Sequence, residues 1–299
     1  RALLALDRRQ RQMCIRDSFI SRCHQVASDL ESPIPILVGT PVPPIQDRSL
    51  PGNGVVRAGD SIREVTRKQL LPTYDVFDEA RYFEADERPG IARTIAGVDV
   101  GVTICEDAWQ HCGATPNDYD SDPIAQIAEW GRQGVLLDAT VNLSASPYHA
   151  DKSGVRIEVA RSAASSLNHP FLLANQVGGN DDLLFDGRSI IAWPDGTAVV
   201  APAWKEGVLV ADLSDPSKCI WKGEGDLVHL SPNQEFNEGD NDLLDAVITG
   251  LSDYCRKSGI KKIVLGLSGG IDSALAACVA SKAVGPDTVS YTHLTLPTI

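Results

Sequence analysis

Nowhere in the 299 residues is there an apolar run of the ~18 residues that a membrane-crossing helix needs. No secretory signal peptide is visible, so a cytoplasmic protein without a membrane partner is expected. Basic residues are scarce, with 27 Lys+Arg against 40 Asp+Glu, for a formal net charge of -13. That excludes nucleic-acid binding by bulk positive charge, because phosphate contacts need a basic surface. It leaves room for a local anion site made of backbone amides at a helix start. No Cys-x-x-Cys pair occurs among Cys14, Cys23, Cys105, Cys112, Cys219, Cys255 and Cys278. Neither a zinc ribbon nor a disulfide framework is therefore expected, and a reducing compartment is the simplest setting. What is present is ordinary for a globular protein: 43% apolar and 22% charged residues, which excludes disorder. The length allows about two domains.

Both ends differ from the body of the chain. Arg11-Gln-Met-Cys-Ile-Arg-Asp-Ser18 and Val289-Ser-Tyr-Thr-His-Leu-Thr-Leu-Pro-Thr-Ile299 resemble translated sequencing-adaptor read-through. Residues 1–18 and 289–299 are set aside from fold reasoning as artefact, as a tag would be, although the alternation in the tail alone reads as a β-strand. The chain is expected to be a fragment, with sequence missing on both sides.

The middle alternates strand and helix signals. Phe19–Leu30 reads as the end of an amphipathic helix, and Pro35–Gly39 as a short strand. Gly54–Ala58 and Ser61–Thr66 read as a hairpin. Ile91–Ile95 and Val98–Ile104 are β-rich runs around a turn at Ala96-Gly97. Ile124–Gln133 has helical spacing, Val135–Val141 is an apolar strand, and Val155–Leu167 is an amphipathic helix. Phe171–Asn175, Ser189–Trp193, Ala198–Ala201 and Gly207–Leu213 are further strands, with Pro194-Asp-Gly196 as a hairpin turn. Such alternation predicts a layered α/β domain. Gly223–Asp240 is acidic and polar and reads as a linker. Beyond it come a helix at Leu243–Ser258, a buried strand at Ile263–Leu267, a glycine loop, and a small-residue helix at Ala274–Val284.

That loop is the most specific signal. Gly266 and Leu267 lead into Ser268-Gly269-Gly270-Ile271-Asp272-Ser273, and a helix begins around Asp272. Glycines let the backbone approach a ligand, and the free amides and dipole of a helix start favour an anion. Ser268 and Ser273 can add hydroxyl donors. It is neither a Walker A motif nor a dinucleotide G-x-G-x-x-G. The alternative is a tight strand-to-helix turn without a ligand.

Cys105 is the second signal. It ends an apolar strand where the chain turns into Glu106-Asp-Ala-Trp109, a bend that would aim the thiol into a crevice. Amides at the following helix start would favour a thiolate and an oxyanion. The alternative is a buried core cysteine.

Several strings carry a family resemblance. Leu267-Ser-Gly-Gly-Ile-Asp-Ser273 is similar to the PP-loop of the N-type ATP pyrophosphatases. Lys68, Leu70-Leu-Pro-Thr-Tyr74-Asp-Val-Phe77-Asp-Glu79-Ala-Arg81, Thr103-Ile-Cys105-Glu-Asp-Ala-Trp109 and Asn142-Leu-Ser-Ala-Ser146-Pro-Tyr-His-Ala-Asp-Lys152 resemble the nitrilase-type glutaminase domain of glutamine-dependent NAD synthetases. The junction helix Leu243–Ser258 resembles theirs too. The resemblance implies a nitrilase-like αββα sandwich, N-terminally truncated, over residues 19–222, and a linker at 223–240. It implies next, at 241–288, the first strand-loop-helix of an adenine-nucleotide α-hydrolase-like parallel-sheet domain. It implies that Cys105 is the nucleophile, that Lys68 stabilises the oxyanion, and that Glu79 orients Lys68. Tyr74, Glu106, Ser146 and Lys152 would contact glutamine. From the residues alone, Tyr74 also reads as an interior aromatic, Ser146 as a turn residue and Lys152 as a solvated charge. Gly266 through Ser273 would bind ATP, with Asp272 steering Mg2+.

The implied reaction is hydrolysis of glutamine to supply ammonia for ATP-dependent amidation of nicotinic acid adenine dinucleotide to NAD, giving AMP and pyrophosphate. A homo-oligomer is a family expectation for the full-length protein. The family's general-base Glu has no matching residue, and Glu64 does not fit its motif. The chain as written is therefore expected to be inactive in NAD formation. Two other readings stay open: a nitrilase-fold amidase or carbamoylase acting on another amide, and a non-catalytic nitrilase-fold assembly module.

Overall fold

The computed structural model describes residues 8–29, 34–45, 48–59, 61–93, 97–234 and 240–293. Helix α1 (Arg8–Ser28) comes first among the described residues and runs from the described part of the set-aside segment into the expected helix, whose last residue Leu30 lies outside the described residues. Strands β1 (Ile36–Val42), β2 (Gly52–Ala58) and β3 (Arg63–Arg67) form an antiparallel sheet in that order. The predicted hairpin is there, slightly longer, with a bulge at Val55/Val56.

Strands β4 (Gly90–Arg93) and β5 (Asp99–Ile104) pair antiparallel; Thr94 and Ile95 of the expected first strand and Ala96 of the expected turn lie outside the described residues. Helix α2 (Pro123–Arg132) starts on an Asp122 cap, whose carboxylate accepts the Ala125 amide at 2.9 Å. It leads to β6 (Ala139–Ser144), and α3 (Lys152–Leu167) leads to β7 (Phe171–Asn175). β5, β6 and β7 are parallel neighbours, and β5 is almost continuously buried, as expected for a parallel strand covered on both faces.

The predicted strand Val135–Val141 is a correction. The strand occupies Ala139–Ser144, and Leu136 is 85% exposed. Asp138 sets the start: its amide donates to Asp99 O at 2.8 Å and its carboxylate accepts the Asp99 amide at 2.7 Å. An apolar run thus begins in a loop, which pattern alone does not separate from strand.

A ribbon of β8 (Val177–Asn180) and β9 (Leu183–Asp186) follows, and then β10 (Ile190–Ala192) and β11 (Ala198–Val200), hairpinned through Pro194-Asp195-Gly196. The main sheet runs β11-β10-β7-β6-β5-β4. β12 (Gly207–Asp212), β13 (Asp215–Gly223) and β14 (Leu227–Leu230) form another antiparallel sheet. β14 falls inside the stretch read as a linker. Its Leu230 packs with Cys219 and Trp221, an anchor too short to register as periodicity.

The main sheet carries α2 and α3 on one face, around Phe171, Ile124, Ile127 and Val159. The β1–β3 and β12–β14 sheets cover its other face, through Val55 and Val102 and through Trp193 and Trp221. α1 places Ile20 on Val42 and Val56 outside the β1–β3 sheet. The layering is α, β, β, α, as expected.

Past the second layer come α4 (Asp240–Ser258), β15 (Ile263–Leu267), α5 (Ile271–Val284) and β16 (Val289–His293). β15 and β16 pair parallel from Ile263↔Val289 to Leu267↔His293, so the alternating tail is a strand through His293. β15 was expected to be buried, but Val264 is 71% exposed. Among the described residues, β15 pairs only with β16, too little cover for a parallel strand.

α4 docks on the β8–β9 ribbon, where the Gly179 amide donates to Asp253 Oδ2 at 2.8 Å and Lys257 Nζ donates to Gly179 O. A buried chain of charges joins α3 to α4. Arg156 pairs with Asp186 at 3.1 Å, Asp186 with Arg188 at 2.8 Å, and Arg188 with Asp242 at 2.6 Å. Trp204 Nε1 donates to the same Asp242 oxygen at 2.7 Å.

Candidate active site

The carboxyl ends of β5, β6 and β7 meet at one cleft, the usual ligand position on a parallel sheet. β5 delivers the chain to Cys105, whose φ is +45°. The chain then enters a short 3-10 helix, Cys105–Ala108. A left-handed conformation is strained for a residue with a Cβ, and here it turns the thiol off the sheet. Asn142 on β6 holds the bend. Its Nδ2 donates to Thr103 Oγ1 at 2.9 Å and to Cys105 O at 3.2 Å, while its Oδ1 accepts Ser144 Oγ at 2.6 Å.

Lys68 follows β3 and is 1% exposed. Its amide donates to Asn53 O at 2.7 Å, and its Nζ lies 2.7 Å from Glu79 Oε1. The other Glu79 oxygen accepts Asn53 Nδ2 at 3.4 Å. Burial disfavours the Lys68 ammonium, but the charges of Cys105 and Glu79 and the Glu79 hydrogen bond outweigh it and hold the pKa above the usual lysine value. Burial pushes the Cys105 thiol up. The Lys68 charge opposes that rise, and Glu106 and Glu79 add to it. Burial thus works against the thiolate, and the neighbouring ammonium favours it.

Glu106, next to the thiol, accepts Tyr74 OH at 2.6 Å and Tyr119 OH at 3.4 Å on one oxygen. Burial and this carboxylate hold both phenols protonated, with pKa values raised. Tyr74 is half-buried rather than an interior aromatic. Ser146 is buried beside Pro147; its amide donates to Asn175 Oδ1 at 2.9 Å, and its Oγ has no hydrogen-bond partner. Lys152 opens α3 and sits 5.2 Å over the Trp109 ring. Burial, then the charge of Arg156, lowers its pKa, so it is not a freely solvated charge.

A cavity of about 470 Å³ is lined by Lys68, Glu79, Cys105, Glu106, Ser144 and Asn175, among others. Of the residues singled out from the sequence, Cys105, Lys68, Glu79 and Glu106 share this wall. Tyr74 and Ser146 adjoin it through Glu106 and Asn175, and Lys152 lies close enough to interact electrostatically with Cys105 and Glu106. Glu64 faces elsewhere: it pairs with Arg67 at 2.7 Å and lines a separate cavity beside α1. Asn142, Asn175, Asp107 and Tyr119 were not singled out. An Asn directly after an apolar run was the available signal for the first.

The 266–273 segment lines no part of this cavity. Gly269 has φ +83°, with open space where a side chain would stand, and α5 begins at Ile271 with Gly270 as its cap. Ser273 Oγ donates to Gly270 O at 2.9 Å and lies 3.2 Å from Ser268 Oγ. Ser268, Gly269, Gly270, Ile271 and Asp272 are exposed. This open loop of amides and hydroxyls fits a phosphate. Asp272 is one exposed carboxylate, and among the described residues no group of three or more His, Cys, Asp or Glu forms a metal site. A magnesium ion fits here only when phosphate oxygens complete its shell.

The cleft thus sets a thiol on a strand end near a buried ammonium and its half-buried carboxylate partner, within an αββα sandwich. Residues 46–217 match the family model described as carbon-nitrogen hydrolase, and the chain belongs to that family. Residues 243–299 match the model described as NAD synthase. The chain is 35% identical over 292 residues to the glutamine-dependent NAD(+) synthetase of Synechocystis sp., covering 93% of this chain and 50% of that protein. It is 35% identical over 260 residues to that of Thermotoga maritima, covering 79% and 42%. The chain thus spans about half the length of the curated relatives it matches. A solved glutamine-dependent NAD+ synthetase from Acinetobacter baumannii, in complex with ADP, superposes with a TM-score of 0.71 at 27% identity. That match covers 94% of this chain and 48% of that one.

Proposed function

We propose that this chain is the glutaminase part and the opening of the synthetase part of a glutamine-dependent NAD synthetase. The observation that carries this reading is the order of two matches in one chain, carbon-nitrogen hydrolase and then NAD synthase. The roles follow from the cleft. Cys105 Sγ attacks the glutamine carboxamide carbon, and the developing oxyanion is held by Lys68 Nζ, itself oriented by Glu79. The nitrogen leaves as ammonia, a thioester remains, and water releases glutamate and the thiol. Glu106, with Tyr74, Ser146 and Lys152, binds the amino-acid end. Lys152 is suited to a carboxylate and Glu106 to an ammonium.

The thiol proton needs an acceptor. The carboxylates in the cleft wall, Glu79 and Glu106, are engaged by Lys68 and Tyr74, so glutamine turnover by this chain is expected to be slow. At the second site, the amides and hydroxyls of Ser268–Ser273, with Gly266 and Leu267 behind them, hold the ATP phosphates. Asp272 helps place Mg2+, which when bound neutralises phosphate charge. ATP activates the carboxylate of nicotinic acid adenine dinucleotide, and ammonia replaces AMP to leave the amide.

The proposed divisions are 19–222 for the glutaminase, 223–240 for the linker and 241–288 for the synthetase start. The whole protein is proposed to be cytoplasmic and homo-oligomeric; no described helix is long and apolar enough to cross a membrane.

A diazo-ketone glutamine analogue, read by peptide mass spectrometry, tests the nucleophile. Labelling confined to Cys105 is expected, and equal labelling of all seven cysteines would sink the assignment. Faster ammonia release from another amide than from glutamine would favour an amidase or carbamoylase. No NAD is expected from ATP, glutamine and the deamido-dinucleotide with this chain, and measurable NAD would overturn that expectation.

A further inference from the structure

Asp107 lies beneath the cleft rather than in its wall. It is 2% exposed, and its carboxylate accepts three backbone amides. Oδ1 accepts Gln69 N at 3.0 Å and Leu70 N at 2.9 Å, and Oδ2 accepts Ile104 N at 3.0 Å. Gln69 and Leu70 directly follow Lys68, and Ile104 directly precedes Cys105. One carboxylate therefore joins the segment that carries the ammonium to the segment that carries the thiol, across 37 and 38 residues of chain.

The residue type matters. An ionised carboxylate only accepts, on two oxygens, whereas an amide side chain of the same size has one accepting oxygen and a donating nitrogen. Burial pushes the Asp107 carboxyl up to about 6, against the three amides and the Lys68 charge. A buried acid that resists ionisation is a poor choice for stability alone. What it supplies is the fixed geometry between two segments.

We propose that Asp107 is a positioning residue, whose carboxylate sets the placement of Lys68 Nζ against Cys105 Sγ and so the reactivity of that thiol. This rests on the reading of Cys105 as nucleophile, which the diazo-ketone labelling tests separately.

The test is the pH profile of Cys105 alkylation by iodoacetamide in the intact chain, with Cys112 as internal reference. Asp107→Asn keeps the size but turns a donor toward the Ile104 amide. With Lys68 displaced, the Cys105 profile is expected to move up by about one pH unit, a roughly tenfold slower reaction at neutral pH, while Cys112 keeps its rate. Lys68→Gln is expected to move the profile likewise, and adding Asp107→Asn to it should change nothing more. An unchanged profile in a folded Asp107→Asn chain, or additive shifts in the double variant, would overturn the proposal.

If Asp107→Asn does not fold, NMR of the wild-type chain decides. The amide protons of Gln69, Leu70 and Ile104 and the Lys68 Nζ resonance should titrate together with the Asp107 carboxyl carbon. A Lys68 resonance indifferent to that titration overturns the proposal.

Discussion

At the scale of single residues, the cleft is a set of charges held close and dry. The cost is readable at Asp107, whose carboxyl titrates near 6 when folded against an ordinary 3.8. The folded state holds that proton more tightly. The group's contribution to stability is therefore full below about 3.8 and is lost as the pH rises through about 6, a loss of about 3 kcal/mol. Urea unfolding of the wild type and Asp107→Asn at pH 4 and pH 7 should show the wild type losing most of that, roughly 2 kcal/mol, relative to the variant. Tyr74 acts differently. Its 2.6 Å bond fixes Glu106, and a hydrogen bond to a charged group is worth about 1.5–3 kcal/mol. Tyr74→Phe should slow diazo-ketone labelling about tenfold while leaving iodoacetamide alkylation of Cys105 unchanged. A matching loss with both reagents would place Tyr74 in thiol activation instead.

At the scale of elements, β5 and β7 lie where their patterns predicted. Phe171–Asn175 was legible to the residue, and the bend at Cys105 could be read from an apolar strand running into a polar turn. β6 was misread because Val135 and Leu136 are apolar yet exposed, and β14 because one buried leucine anchors it. The docking of α4 was not legible, since Asp242 reads as an acidic residue at a helix start. In the fold it neutralises Arg188 and accepts Trp204 Nε1. Asp242→Ala leaves Arg188 and Arg156 sharing one buried Asp186. The expected cost is about 3 kcal/mol, visible as a lower urea midpoint. A change within about 0.5 kcal/mol would mean that the helix docks without the pair.

At the scale of the whole molecule, order is unevenly supported. The sandwich buries residues from every strand of its main sheet except a few edge positions. In α5 only Val279 and Ala280 are buried, and Leu243, Tyr254, Val264, Ile271 and Leu275 of the last elements are exposed. Local opening free energy follows buried contacts. Amide hydrogen exchange should therefore be fastest in 263–293 and slowest in β5, β6 and β7, and equal protection would contradict that ordering. The net charge of -13 bears on solubility rather than on either site, because the phosphate loop uses amides and hydroxyls in place of basic side chains.

The sequence by itself determined the local backbone: the strand-to-turn bend at Cys105, the glycine loop before α5, and the alternation of strand and helix. Apolar spacing and turn residues act over a few neighbours, and so they can be read from a line of letters. The tertiary structure alone decided which charge meets which. Lys68 reaches Glu79 across 11 residues, Asn142 holds the Cys105 carbonyl across 37, and Asp107 ties the Lys68 segment to the elbow. Burial then changed what those groups are, raising the Cys105 thiol and the Asp107 carboxyl. The reason is physical: a side chain's charge state and partner depend on the dielectric and the dipoles packed around it, and packing brings these together from distant parts of the chain.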